Sequence, residues 1–118
     1  MDAFPALRQA SPLTDGAAPW WLAAVAIVAA PIFEEFIFRG LIFRGLERSF
    51  GLGIAAVASA AIFAIVHPPL AVIPVFCMGV TAAMVYQHVK MLLAPIIVHA
   101  SYNAILLALQ WNLVHGAP

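Results

Sequence analysis

Apolar residues run through this chain in stretches too continuous for strands, and the few polar positions fall where such stretches would have to end or turn. The first stretch spans residues 20–48. It exceeds the roughly 20 residues that a helix needs to cross a bilayer. Pro31 is expected to kink it just before Glu34 and Glu35, and Arg44, Glu47 and Arg48 mark its exit into water. From residue 49 to residue 89 there is no Asp, Glu, Lys or Arg. At 1.5 Å per residue a helix of that length would reach about 60 Å, twice a bilayer core, so the segment must turn. Pro68-Pro69 supplies the break and predicts a second helix over 52–67 and a third over 70–89, which Pro74 would bend. Lys90 marks the next connection, and a fourth helix follows over 92–114 with Pro95 in its first turn. The runs lack the two-residue alternation of a membrane barrel. The expected fold is an all-α membrane protein, a four-transmembrane-helix bundle core. Ala55, Ala56, Ser59 and Ala60 would let the second helix approach a neighbour closely.

Residues 1–19 carry no helical period and read as a surface tail or linker, leaving 20–118 as a transmembrane helical domain. The Pro19-Trp20-Trp21 junction suits an interfacial anchor at a helix start. The late first apolar run, without a basic flank, is not read as a secretory signal.

Composition strengthens the membrane assignment. Of the 118 residues 65% are hydrophobic and 8% are charged, against about 25% charged in soluble domains. Mean hydropathy is +1.05. The chain is expected to be an integral, multi-pass protein of a bacterial or archaeal type of cell membrane, with lipid as its first partner. Zero net charge gives no reason to expect nucleic acid. Arg44, Arg48 and Lys90 fall on one side of an up-and-down bundle, which the positive-inside rule makes cytoplasmic. Cys77, the lone cysteine, reads as a small core residue.

Charge placement points to chemistry. Six of the ten charged side chains lie between residues 34 and 48, and ionisable groups inside a membrane helix are by default functional. Glu35 and Arg39, four apart, share a face and can neutralise each other. Glu34 points about 100° away. It is left free to face a cavity and act as a general base. The blander alternative pairs both glutamates with Arg39 and Arg44 near a membrane surface. His67 shares a face with Phe63 at a helix end, where it could share a water with a carboxylate, bind a metal, or simply close the helix. His99 and Asn103, again four apart, could aim two donors at a developing oxyanion or serve as interhelical glue. Ser101 and Tyr102 are expected to face away from His99 and to pack. His88 and His115 read as interfacial.

Taken together, Glu34-Glu35-x-x-x-Arg39, Phe63-x-x-x-His67 and His99-x-x-x-Asn103 form an ordered set. This set resembles the CAAX prenyl protease and bacteriocin-processing (CPBP, or Abi) family of intramembrane proteases. The resemblance implies an endopeptidase that hydrolyses a peptide bond of a membrane-associated substrate, either a prenylated CAAX C-terminus or a bacteriocin-type leader. It implies that Glu34 activates water with help from His67 and that His99 and Asn103 stabilise the oxyanion. Glu35, Arg39 and Phe63 would support the site. Family members usually carry further membrane helices, so additional helices or a subunit are an expected partner.

The family is often labelled metalloprotease. Glu34, His67 and His99 could bind zinc with water in the fourth position, yet no HExxH is present. A glutamate-activated water without a cofactor is the preferred expectation. The alternatives are a catalytically silent membrane partner that binds peptide or lipid in the same fold, and a small transporter using the glutamates as a proton relay. The latter would more often show inverted repeats or paired broken helices.

Overall fold

A computed structural model describes residues 20–116, and the expected tail lies outside them. Every regular element among the described residues is helical. Helix α1 spans Trp20–Phe50, α2 Leu52–Ile65, α3 Val72–Val89 and α4 Leu93–His115. A single 3-10 turn, Pro69–Ala71, leads into α3. Trp20 and Trp21 open α1 exposed, as an interfacial anchor requires.

Helix α1 is α-helical with two π-helical stretches, Val25–Ala29 and Phe36–Phe43. The expected adjustment at Pro31 takes the form of the first stretch. Proline removes a backbone donor and crowds the preceding turn, and widening that turn accommodates the ring. The mixture also explains which face is buried. Pro31, Glu35, Arg39 and Phe43 are all buried, at a strict spacing of four. In an α-helix each step of four overshoots a full turn by about 40°. Wider π turns correct the drift and keep the four in line.

Gly51, with φ 85°, is the whole connection between α1 and α2, and its N–H donates to the Glu47 carbonyl at 2.9 Å. Helix α2 ends two residues before the expected position. His67 precedes a proline, which disfavours the α conformation there, and the chain leaves the helix at Val66. With 14 residues, α2 is shorter than a full span, whereas α1, Pro69–Val89 and α4 are long and apolar enough to cross. The molecule is therefore an all-α membrane bundle in which the second helix stops short. Pro74 and Pro95 both fall in first turns. N–H groups there have no intrahelical partner to lose, so Pro74 need not bend α3. The chain turns out of α3 through Lys90 in a left-handed conformation, φ 63°, with its N–H on the Tyr86 carbonyl at 2.7 Å.

Two apolar layers hold the bundle. Phe43, Ala55, Ala56, Ala83 and Tyr86 form one. Phe63, Ala64, Val75, Met78 and Ala82 form the other. Between them α2 and α3 touch closely: a Cβ at Gly79 would lie 3.1 Å from the Ala60 Cβ and 3.3 Å from Arg39 Nη2. Cys77, expected in the core, is exposed, one position from the buried Met78 on a helix whose other face meets the bundle. Gly79→Ala should push α2 and α3 apart and lower stability by about 1–3 kcal/mol. Unfolding in detergent measures it, and an unchanged variant would refute the close contact.

Candidate active site

The site is assembled around one fully buried cation. Arg39 Nη1 donates to Glu35 Oε1 at 3.1 Å, and Nη2 donates to the Gly79 carbonyl at 2.7 Å. Its guanidinium lies over the Phe63 ring, 5.1 Å from the centroid, an attractive cation–π placement. The expected Glu35–Arg39 pair is thus present, and it reaches a second helix through a backbone oxygen that only a close glycine can present. Arg44 instead lies over Tyr86 at 5.6 Å, away from the glutamates.

His99 joins α4 to both carboxylates. Its Nδ1 lies 2.8 Å from Glu35 Oε1, and its Nε2 lies 3.4 Å from Glu34 Oε2. An ionised carboxylate only accepts, so Nδ1 is the donor to Glu35. The Glu34 contact lacks hydrogen-bond geometry: Glu34 Oε2 is buried without a hydrogen-bond partner. The neighbouring glutamates therefore differ in kind. Glu35 is completely buried and shared by two donors, whereas the Glu34 side chain is 34% exposed.

His67 closes α2. Its Nδ1 lies 2.7 Å from the Phe63 carbonyl oxygen. That oxygen can only accept, so Nδ1 carries the proton and a neutral ring has its lone pair on Nε2. The same bond satisfies a carbonyl left over at the helix end. Phe63 packs edge-on against His67 at 4.5 Å and against His99 at 5.3 Å, holding both imidazoles.

Glu34, His67, His99 and Asn103 line one cavity of about 290 Å³, together with Ala26, Ala30 and Gln110. An adjoining lobe of about 390 Å³ shares His67, His99, Asn103 and Gln110, and is otherwise walled mainly by the Pro68–Ala71 turn, α3 and α4. Tyr102 lines this lobe, contrary to the expectation that it faces away from His99. Three residues after His99 on a helix is still a neighbouring position on the same side. Asn103 Nδ2 donates to the Ala26 carbonyl at 2.8 Å, which commits one of its two amide hydrogens to α1. No hydrogen bond links Glu34 to His67 among the described residues; they meet only across the cavity. His88 and His115 are exposed and line neither lobe.

Gly79, Tyr102, Gln110 and the Ala26 carbonyl escaped the sequence reading. Gly79 carried a signal, a glycine in an apolar helix able to face the small-residue stripe of α2. Gln110 also carried one, lying seven residues beyond Asn103 on the same helical face.

Zinc would need Glu34, His67 and His99 as ligands. Each histidine holds its Nδ1–H on an oxygen, the usual orientation for an Nε2 ligand. However, among the described residues no three His, Cys, Asp or Glu side chains are grouped closely enough to hold a metal ion. The arrangement as it stands does not fit a metal centre.

The two carboxylates should separate in experiment. Glu35→Gln leaves Arg39 without its buried counter-charge and should destabilise the fold by about 3–5 kcal/mol. Glu34→Gln should melt close to the parent. Thermal unfolding of both in detergent decides, and equal loss would refute the division.

Comparison with known proteins identifies the family. The family model described as type II CAAX prenyl endopeptidase Rce1-like matches residues 16–105. The candidate membrane peptidase YdiL of Bacillus subtilis (strain 168) is 34% identical over 87 residues, 73% of this chain and 36% of that protein. The membrane-embedded CAAX protease MroQ of Staphylococcus aureus (strain USA300) is 35% identical over 99 residues, 78% of this chain and 40% of that protein. The chain thus spans 36% of the length of one curated relative and 40% of the other. No solved structure gave a significant match. A family match across most of the chain, covering the helices that carry Glu34, Glu35, Arg39, Phe63, His67, His99 and Asn103, places this multi-pass membrane protein in the Rce1-like CAAX prenyl endopeptidase family.

Proposed function

We propose that the chain is the catalytic core of an intramembrane endopeptidase that hydrolyses a peptide bond of a membrane-associated substrate, a prenylated CAAX-type C-terminus or a bacteriocin-type leader. The observation that carries the reading is the exposure of the Glu34 carboxylate: it is 34% exposed and lines a cavity with His67, whereas Glu35, which like Glu34 has an unpartnered Oε2, is completely buried and lines neither lobe. Membrane lipid and a membrane-embedded peptide or prenylated protein are the partners this implies, together with additional membrane helices or a subunit.

In this mechanism a water lies between Glu34 and His67 Nε2. Glu34 takes its proton as the water oxygen attacks the scissile carbonyl carbon. Negative charge then gathers on the carbonyl oxygen, where the second amide hydrogen of Asn103 and an Nε2–H of His99 stabilise it. That role asks of His99 an Nε2–H in addition to the Nδ1–H that it gives to Glu35. As the tetrahedral intermediate collapses, the C–N bond breaks and Glu34 returns the proton to the leaving amine. Glu35 and Arg39 take no part in proton transfer; they fix His99. No metal is used. The adjoining lobe offers an apolar wall for the substrate's lipid-like portion.

Purified protein in detergent should cleave a farnesylated fluorogenic peptide, and Glu34→Gln should lower turnover by about 10² or more without loss of folding. Normal cleavage by Glu34→Gln would remove it as the base. Strong chelators should leave turnover intact. Abolition by chelation with restoration by zinc would replace the water mechanism with a metal-assisted one.

A further inference from the structure

Asn103 is not needed to explain how His99 is held, yet one of its amide hydrogens is spent on a backbone oxygen eight residues before Glu34. The reason lies in the helix register. The Ala30 N–H donates to the Val25 carbonyl, a bond that reaches back five residues. In the same register the next donor would be residue 31, and its acceptor would be the Ala26 carbonyl. Residue 31 is proline, which has no N–H. Ala30 is committed to Val25 and Pro31 has nothing to give, so the backbone of α1 offers Ala26 no donor. That carbonyl is half-buried against α4, where leaving it unpaired is costly.

We propose that Asn103 is a positioning residue: its Nδ2 replaces the backbone donor that Pro31 removes, and this bond sets the rotation of α1 that turns Glu34 into the cavity. Helix α4 then grips α1 at two heights. Asn103 holds the π-helical turn before Pro31, and His99 meets Glu34 and Glu35 just after it. Return of that turn to α-helical register would remove its extra residue and rotate Glu34 relative to everything before it by roughly 100°. The bond therefore stabilises the register in which the carboxylate faces His67 and His99 rather than a neighbouring direction. Its role is separable from any second hydrogen that Asn103 gives to an oxyanion, because only the first role depends on residue 31 being proline.

A double-mutant cycle between Pro31 and Asn103 tests this. Pro31→Ala supplies an N–H that serves Ala26 in π register, and in α register Ala30 serves it, so either outcome makes Asn103 dispensable to α1. Pro31→Ser supplies the same N–H and gives a second background should Pro31→Ala fold poorly. The whole chain in detergent is melted and then assayed on the farnesylated peptide. With Pro31 present, Asn103→Ala should lower the melting midpoint by about 4–8 °C. It should also reduce kcat by up to about 10²-fold, with little change in KM. In the Pro31→Ala or Pro31→Ser background the loss in midpoint should largely vanish, and the fold-loss in kcat, taken against that background's own kcat, should shrink to the part that the oxyanion contact alone accounts for. Equal losses in all backgrounds would overturn the proposal and leave Asn103 an oxyanion donor alone. Coupling in the midpoint without coupling in kcat would overturn the positioning role. The kinetic arm rests on the proteolytic reading, whereas the melting arm needs no substrate. A parent protein that cleaves nothing therefore counts against proteolysis, and the midpoints still decide whether Asn103 serves Ala26.

Discussion

A guanidinium inside a bilayer cannot be left alone, and Arg39 determines much of what surrounds it. Its charge requires a buried carboxylate, which Glu35 supplies one turn away. Its Nη2 finds an oxygen on another helix, the Gly79 carbonyl. That contact is possible only because α2 and α3 approach at Ala60 and Gly79 without an intervening side chain. Once Glu35 is fixed, His99 has an acceptor for Nδ1 and its ring is set. With Glu35 engaged twice over, Glu34 is the carboxylate left facing the cavity. The difference between the two glutamates thus arises by subtraction: the obligations of Glu35 leave Glu34 the more accessible carboxylate.

Three of the site's polar groups lie at, or bond to, a place where a helix departs from regular geometry. His67 caps the carbonyl at the truncated end of α2, Asn103 meets the turn widened before Pro31, and Arg39 sits in the second π-helical stretch. Irregular backbone in a membrane leaves polar atoms that a side chain must satisfy. Side chains recruited for that purpose are held by their bonds, so structural satisfaction and precise orientation come from the same contacts.

The sequence made the spans legible through continuous apolar runs, and the Glu35–Arg39 pair through spacing alone. The end of α2 was misplaced because the pattern of apolar residues continues to Val66, whereas the restriction that Pro68 imposes on His67 acts on backbone geometry. Tyr102 eludes the spacing because the face of α4 that carries His99 is broad enough to include positions three apart. The bond to Ala26 could not be read, since backbone carbonyls have no letter in a sequence; Pro31 hinted at a missing donor, but which carbonyl it orphans depends on whether the turn is α or π. Glu34 on α1 and His67 just past the end of α2 are both marked by the motifs, while their meeting across a cavity rather than through a bond is a property of packing.

Helix α2 is 14 residues long, about 21 Å at 1.5 Å per residue, against a hydrocarbon core of about 30 Å. The missing thickness has to be made up by something, and here it is made up by the turn of Pro68, Pro69 and Leu70. That turn exposes few backbone donors, because two of its residues are prolines, and the Pro68 carbonyl is taken by the Ala71 N–H at 2.9 Å. The larger lobe of the cavity lies against this turn. The shortness of α2 thus leaves a proline turn, rather than a helix, as one wall of the lobe, and a wall of that kind presents almost no backbone donor to whatever enters it.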